Sequence, residues 1–159
     1  MTLAASVIAA ARAAGLKIST AESCTGGMLA AALTDISGAS TVFDRGFITY
    51  SYASKPEMLG ISAKTVETCG AVSAEAAAQM AVGALAQSDA NISVAITGIA
   101  GPVPESSKPE GLVWFAIATA AGTKTTKREF GALGRANVRQ ASVEHALNLL
   151  AEVFELPSK

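Results

Sequence analysis

The sequence predicts an α/β fold, a three-layer α/β/α sandwich on a mixed sheet. Residues 16–36 read as a strand, a tight glycine turn and a helix in immediate succession. Residues 92–98 (ISVAITG) and 111–120 (GLVWFAIATA) are almost unbroken β-favouring apolar runs, the pattern of strands covered on both faces. Half of the 159 residues are hydrophobic, yet aromatics make up only 5%. Alanine supplies much of the remainder, and small side chains let helices pack closely on a sheet.

Each element has a local reason. Residues 2–14 form an apolar helix closed by Gly15. LKISTAES (16–23) is a short strand running into TAESCTGG, and TGGMLAAALTDI (25–36) is the helix that follows. RGFITY (45–50) is a second strand, after which a polar turn through Lys55–Pro56 leads to short helical pieces up to about Thr68. Ser73 is a helix N-cap with Glu75 in the first turn, and Ala77, Met80, Ala81, Ala84 and Leu85 follow at helical spacing. KTTKREF (124–130) is polar enough to be an edge strand or to face water on one side. Val143, Leu147, Leu150 and Phe154 mark the stripe of a long final helix.

Twelve basic and thirteen acidic residues nearly cancel, so the chain lacks the basic stripe that neutralises nucleic-acid phosphates. No stretch of eighteen apolar residues is present, and the N-terminus lacks the positive region of a signal peptide. Cys24 and Cys69 form no CxxC, and a single histidine with two cysteines does not furnish a zinc site. The chain reads as one reduced, cytoplasmic domain spanning 1–159, binding a small molecule without metal, membrane or nucleic acid.

Four stretches carry candidate chemistry. In TAESCTGG, Ser23, Cys24 and Thr25 are potential nucleophiles at a strand-to-helix turn, where free N–H groups and the helix dipole favour an anion and lower the pKa of a thiol. An ordinary turn with Ser23 or Thr25 as cap is the plainer account. TYSYASK (49–55) has Tyr50 ending a buried strand and Lys55 five positions on. A lysine near apolar surface loses its proton readily and can serve a serine as base; a surface lysine is the plainer account. The glycine loop TGIAGP (97–102) follows a buried strand, where ligands of α/β sheets gather, although a simple turn before Pro102 also fits. In GRANVR (134–139), Arg135 and Arg139 oppose the dipole of the last helix, and Arg139 is in line with Val143 and Leu147; an anionic ligand or an acidic partner would account for both. His145, two positions before Leu147 and roughly 200° around the helix, is a boundary residue.

In order, TAESCTGG, RGFITYS…K, GAVS (70–73), TGIAGP, KPEGLVWF (108–115) and GRANVR resemble the CinA C-terminal domain family over residues 3–155. The enzymatic members of that family are nicotinamide-nucleotide amidases. The resemblance implies a mixed sheet of about five strands, and hydrolysis of nicotinamide mononucleotide to nicotinate mononucleotide and ammonia without a cofactor. The family's serine, tyrosine and lysine fall on Ser23, Tyr50 and Lys55. On this reading N–H groups of Thr25, Gly26 and Gly27 hold the oxyanion, while Thr97, Gly98, Gly101 and Arg139 take the nucleotide phosphate. Relatives suggest a homo-oligomer, a dimer or larger, and this chain is expected to be the form without the large N-terminal domain many of them carry.

Three stretches depart from the usual pattern. Two glycines expected before Lys108 are replaced in VPESS (103–107), Tyr52-Ala53 stands for Asn-Glu, and Leu133-Gly134-Arg135 for Gly-Asp-Arg. The alternatives are a non-catalytic nucleotide-sensing or partner-binding module, and a thiol hydrolase using Cys24.

Overall fold

The computed structural model describes residues 1–104 and 108–157. Much of the VPESS departure, residues 105–107, therefore lies outside the described residues. Helix α1 (Leu3–Ala14) begins at Thr2, whose side chain accepts the Ala5 N–H, and ends at Gly15 in the left-handed region. Strand β1 (Ile18–Glu22) leads into α2 (Met28–Thr34), shorter at both ends than the 25–36 expected. Gly26 and Gly27 both have positive φ, so residues 23–27 form a turn rather than the first turn of the helix. Then come β2 (Phe43–Ile48), α3 (Ser54–Leu59), α4 (Ala63–Cys69), α5 (Ala74–Ala86), β3 (Ile92–Gly98), β4 (Leu112–Thr119), β5 (Gly122–Glu129) and α6 (Arg135–Val153).

The five strands lie in the order β2-β1-β3-β4-β5. β1 is parallel to β2 and β3, whereas β3–β4 and β4–β5 are antiparallel, so the sheet is mixed as expected. β3 at the centre is buried along almost its whole length, and β5 at one edge is mostly exposed. The second strand runs 43–48 rather than 45–50 and is the other edge. With a neighbour on one side only, it is half exposed, and Tyr50 falls beyond its end, 59% exposed, rather than closing a buried strand.

The pleat assigns side chains to two cores. Ile18, Ile92, Val94, Ile96, Val113 and Phe115 pack with α1, α2 and α6. Ala21, Ala95, Ala116 and Ala118 face α5, which meets them with Ala77, Ala81 and Ala84. Alanine on alanine brings α5 close to the sheet, which is what the aromatic-poor composition implied. Among the described residues, no helix is long and apolar enough to cross a membrane.

Candidate active site

Period-two alternation along β1 sends Glu22 and Ser23 to opposite sides of the sheet. Ser23 follows the strand, but its N–H still donates to the Ile96 carbonyl at 2.9 Å and keeps it against β3. Its side chain lies on the α5 side, with Ala21. Glu22 is fully buried beneath α2, where one carboxylate oxygen accepts from Thr25 Oγ1 at 2.7 Å and the Leu29 N–H at 2.8 Å, and the other from the Ala30 N–H at 3.0 Å. The positive end of α2 is thus occupied by the chain's own carboxylate. The sequence pattern offers that end to an anionic ligand, and Glu22 fills it instead.

The lysine arrives from across the β2 edge. The Thr49 N–H donates to the Glu22 carbonyl at 2.9 Å, prolonging the β1–β2 pairing by one residue. The chain then turns into α3, where Ser51 Oγ accepts the Ser54 N–H at 3.1 Å and Ser54 Oγ donates back to the Ser51 carbonyl at 2.8 Å. Lys55 and Leu59, one helical turn apart, are the buried face of α3. Lys55 Nζ, on a side chain only 2% exposed, donates to the Thr49 carbonyl at 2.7 Å and to Ser23 Oγ at 3.1 Å. Burial holds the pKa of this amine below its ordinary value of 10.5, because desolvation penalises the ammonium. The lysine therefore meets the serine directly.

Tyr50 stands apart from that pair. Its hydroxyl is bonded to Arg135 Nη2 at 2.5 Å, and Arg135 Nη1 donates to the Gly101 carbonyl at 3.0 Å. Arg139 points inward as its position on the helix predicts, but its partners are backbone: Nε donates to the Cys24 carbonyl at 3.0 Å and Nη2 to the Thr25 carbonyl at 3.2 Å. These carbonyls resolve the cation at the helix start. Arg139 braces the nucleophile turn from behind, while Arg135, the other arginine of GRANVR and not the one expected to take the phosphate, reaches the open cleft.

That cleft holds about 200 Å³. Ser23, Tyr50, Lys55 and Arg135 meet there with Thr97 and Gly98 at the end of β3. Cys24, Tyr52, Ile99 and Ala100, with Ala71 and Val72 from the loop between α4 and α5, add to its walls. GAVS was the signal for that loop. It is held by Thr97 Oγ1 on the Ala71 carbonyl at 2.7 Å and by Lys108 Nζ on the Val72 carbonyl at 2.5 Å. Gly98 lies against β4, where an added Cβ would fall 2.7 Å from Val113 Cγ2. Gly101 contributes its carbonyl to Arg135 rather than a wall, and Thr25, Gly26 and Gly27 sit in the turn behind Ser23.

Within the turn, the Gly26 N–H donates to the Ser23 carbonyl and the Met28 N–H to the Thr25 carbonyl, both at 3.1 Å. Among the described residues, the Thr25 and Gly27 N–H groups carry no hydrogen bond. Cys24 is 5% exposed, and its pKa is pushed up to about 11 by burial, which outweighs the nearby arginines. A thiol held there is neutral at physiological pH. His145 is remote from the cleft, half-buried and edge-to-face on Phe115 at 4.6 Å between centroids. The arrangement is a serine with a desolvated lysine, a parallel that needs no histidine.

The CinA C-terminal domain matches residues 1–154. The chain is 45% identical to the nicotinamide-nucleotide amidohydrolase PncC of Escherichia coli K12 over 155 residues, covering 97% of this chain and 94% of that one. It is 46% identical to the nicotinamide-nucleotide amidohydrolase PncC of Enterobacter agglomerans, covering 92% and 91%. The crystal structure of the competence/damage inducible protein CihA from Agrobacterium tumefaciens superposes with a TM-score of 0.92 at 48% identity, over 95% of this chain and 93% of that one.

Proposed function

The chain belongs to the CinA C-terminal domain family, and from that premise we propose that it is a nicotinamide-nucleotide amidase with a serine–lysine catalytic pair. The contact that supports this most is Lys55 Nζ at 3.1 Å from Ser23 Oγ, in a cleft at the carboxyl ends of β1 and β3. The names of the amidohydrolase relatives point to a nicotinamide nucleotide, and the substrate proposed for this chain is nicotinamide mononucleotide. Its pyridinium nitrogen draws electrons from the carboxamide and leaves that carbon open to attack.

The neutral Lys55 amine takes the Ser23 hydroxyl proton as Oγ bonds to the carboxamide carbon. One amine hydrogen stays on the Thr49 carbonyl and keeps the lone pair aimed at the serine. The turn's N–H groups serve the oxyanion: among the described residues those of Cys24, Thr25 and Gly27 make no backbone hydrogen bond, and Cys24 lines the cleft. The tetrahedral adduct collapses with rupture of its C–N bond; the departing nitrogen takes the proton from Lys55 and leaves as ammonia. Water then attacks the Ser23 ester and gives a proton to Lys55. Collapse releases nicotinate mononucleotide, and the proton returns to Ser23 Oγ. Tyr50 acts through Arg135, holding the guanidinium at the cleft where the substrate phosphate takes it. Arg139 acts on the turn, not on substrate.

Ammonia release from nicotinamide mononucleotide tests the reading. Ser23→Ala should lower kcat at least about 10³-fold, while Cys24→Ala retains activity. Loss of turnover in the cysteine variant alone would return the role to the thiol.

A further inference from the structure

The substrate that this reading brings to the cleft carries a positive ring, yet the described residues lining the cleft include no carboxylate. The Arg135 guanidinium and the Lys55 amine line it instead. Among the described residues that line the cleft, no acidic side chain balances the pyridinium.

Tyr52 is on the wall of the same cleft and is 71% exposed, the most open of the large apolar side chains after Met1. Among the described residues its hydroxyl makes no hydrogen bond, so nothing ties the ring elsewhere. It rides on an ordered turn, because the reciprocal Ser51–Ser54 hydrogen bonds close the backbone around it, three residues before Lys55. Tyr50, the other aromatic at the cleft, is already bonded through its hydroxyl to the Arg135 guanidinium. A second cation against that ring would meet repulsion, whereas the negative face of the Tyr52 ring has no cation upon it.

We propose that Tyr52 is a specificity-determining residue that receives the cationic pyridinium on its ring face and so selects the oxidised, charged nucleotide over a neutral one. The proposal rests on the amidase reading. It concerns binding and ring orientation, with no part in proton transfer. Covering the ring with the substrate's aromatic plane also removes exposed apolar surface from water, and both effects favour the same pose.

Saturation kinetics with nicotinamide mononucleotide, and competitive inhibition by its neutral dihydro form, separate charge recognition from packing. Tyr52→Leu keeps apolar bulk and loses the ring; Tyr52→Phe keeps the ring and loses the hydroxyl. The leucine variant should raise KM by about five- to tenfold with kcat nearly unchanged, and the phenylalanine variant should restore it. The inhibition constant of the dihydro form should move less than about twofold. An unchanged KM in the leucine variant overturns the proposal, as does an equal loss of affinity for the neutral ligand, which would reduce Tyr52 to a packing surface. Absence of turnover in the unaltered protein overturns the amidase reading and this inference together. Turnover with KM indifferent to Tyr52 overturns only the inference.

Discussion

A serine hydroxyl is a poor nucleophile at neutral pH, and in the proposed reaction Ser23 depends on its neighbour. Ser93 and Ser142 are buried more completely, and their hydroxyls donate to the Ala81 and Val138 carbonyls. Ser23 Oγ instead faces an amine whose charged form is disfavoured by burial. The pH dependence follows from the sign of that shift. The lysine must be neutral to act, so kcat/KM should climb with pH through the Lys55 pKa and level off above it, with the midpoint below 10.5. Because the folded pKa is lowered, the same group leaves stability unchanged above 10.5 and reduces it as pH falls from there through the folded value. Lys55→Met should lower kcat by about 10²- to 10⁴-fold while removing that alkaline limb of the profile. A methionine variant with the parent's pH profile would show that the base is another group. The sequence made Lys55 a candidate through its distance from the strand and the absence of a usable histidine. It did not reveal that the contact with serine is direct, because that distance is set by α3.

At the scale of elements, the site depends on where α3 is seated, and a glycine sets that. A Cβ built on Gly83 of α5 would fall 2.0 Å from the Leu59 carbonyl oxygen, a backbone atom that cannot swing away. α5 therefore approaches the end of α3 as only a glycine allows, and Leu59 drops into the core one turn beyond Lys55. Gly83→Ala should displace α3 from the sheet, costing about 1–3 kcal/mol of stability and a larger share of kcat than of substrate affinity. Urea unfolding together with steady-state kinetics checks both; wild-type values for the two would mean that α3 is placed by other contacts. Gly83 was hidden in the sequence, where it reads as one small residue in an alanine-rich helix. The turn after β1 was partly visible: its glycines announced it, but the extent of α2 did not follow, since Gly27 ends the turn where the sequence pattern began a helix.

Across the whole molecule, the two faces of the sheet divide the work. The α1–α2–α6 side carries the larger aliphatic core, and the α5 side, built from alanines, leaves room at its end for the cleft. His145 belongs to the first side. It sits between Phe115 of β4 and the backbone of α6, with Arg128 of β5 and Glu152 of its own helix as charged neighbours. Burial, with Arg128 adding to it, keeps its pKa below 6.5, and its Nε2 is buried without a partner among the described residues. Protonation is therefore costlier in the folded chain than in the unfolded one. Stability should be level above pH 6.5 and fall as pH drops from there through the lowered value. His145→Phe should flatten this part of the curve in urea titrations taken at several pH values, leaving ammonia release near that of the parent. Parallel curves for variant and parent would place the acid sensitivity elsewhere.

The layers, the mixed sheet and the turn that presents Ser23 are legible in the chain before it is folded. These follow from short-range rules: apolar periodicity, glycine in turns and at helix ends, capping at Ser73. Tertiary structure decided which of two arginines enters the cleft. Arg135 and Arg139 differ by one helical turn, and only the approach of the nucleophile turn to α6 gives the Cys24 and Thr25 carbonyls to Arg139. It decided equally that Glu22 caps α2 and that Tyr50 lies beyond an edge strand. Each of these rests on contacts between residues far apart in the chain, whose distances are set by how helices seat on the sheet and are not encoded in any local pattern.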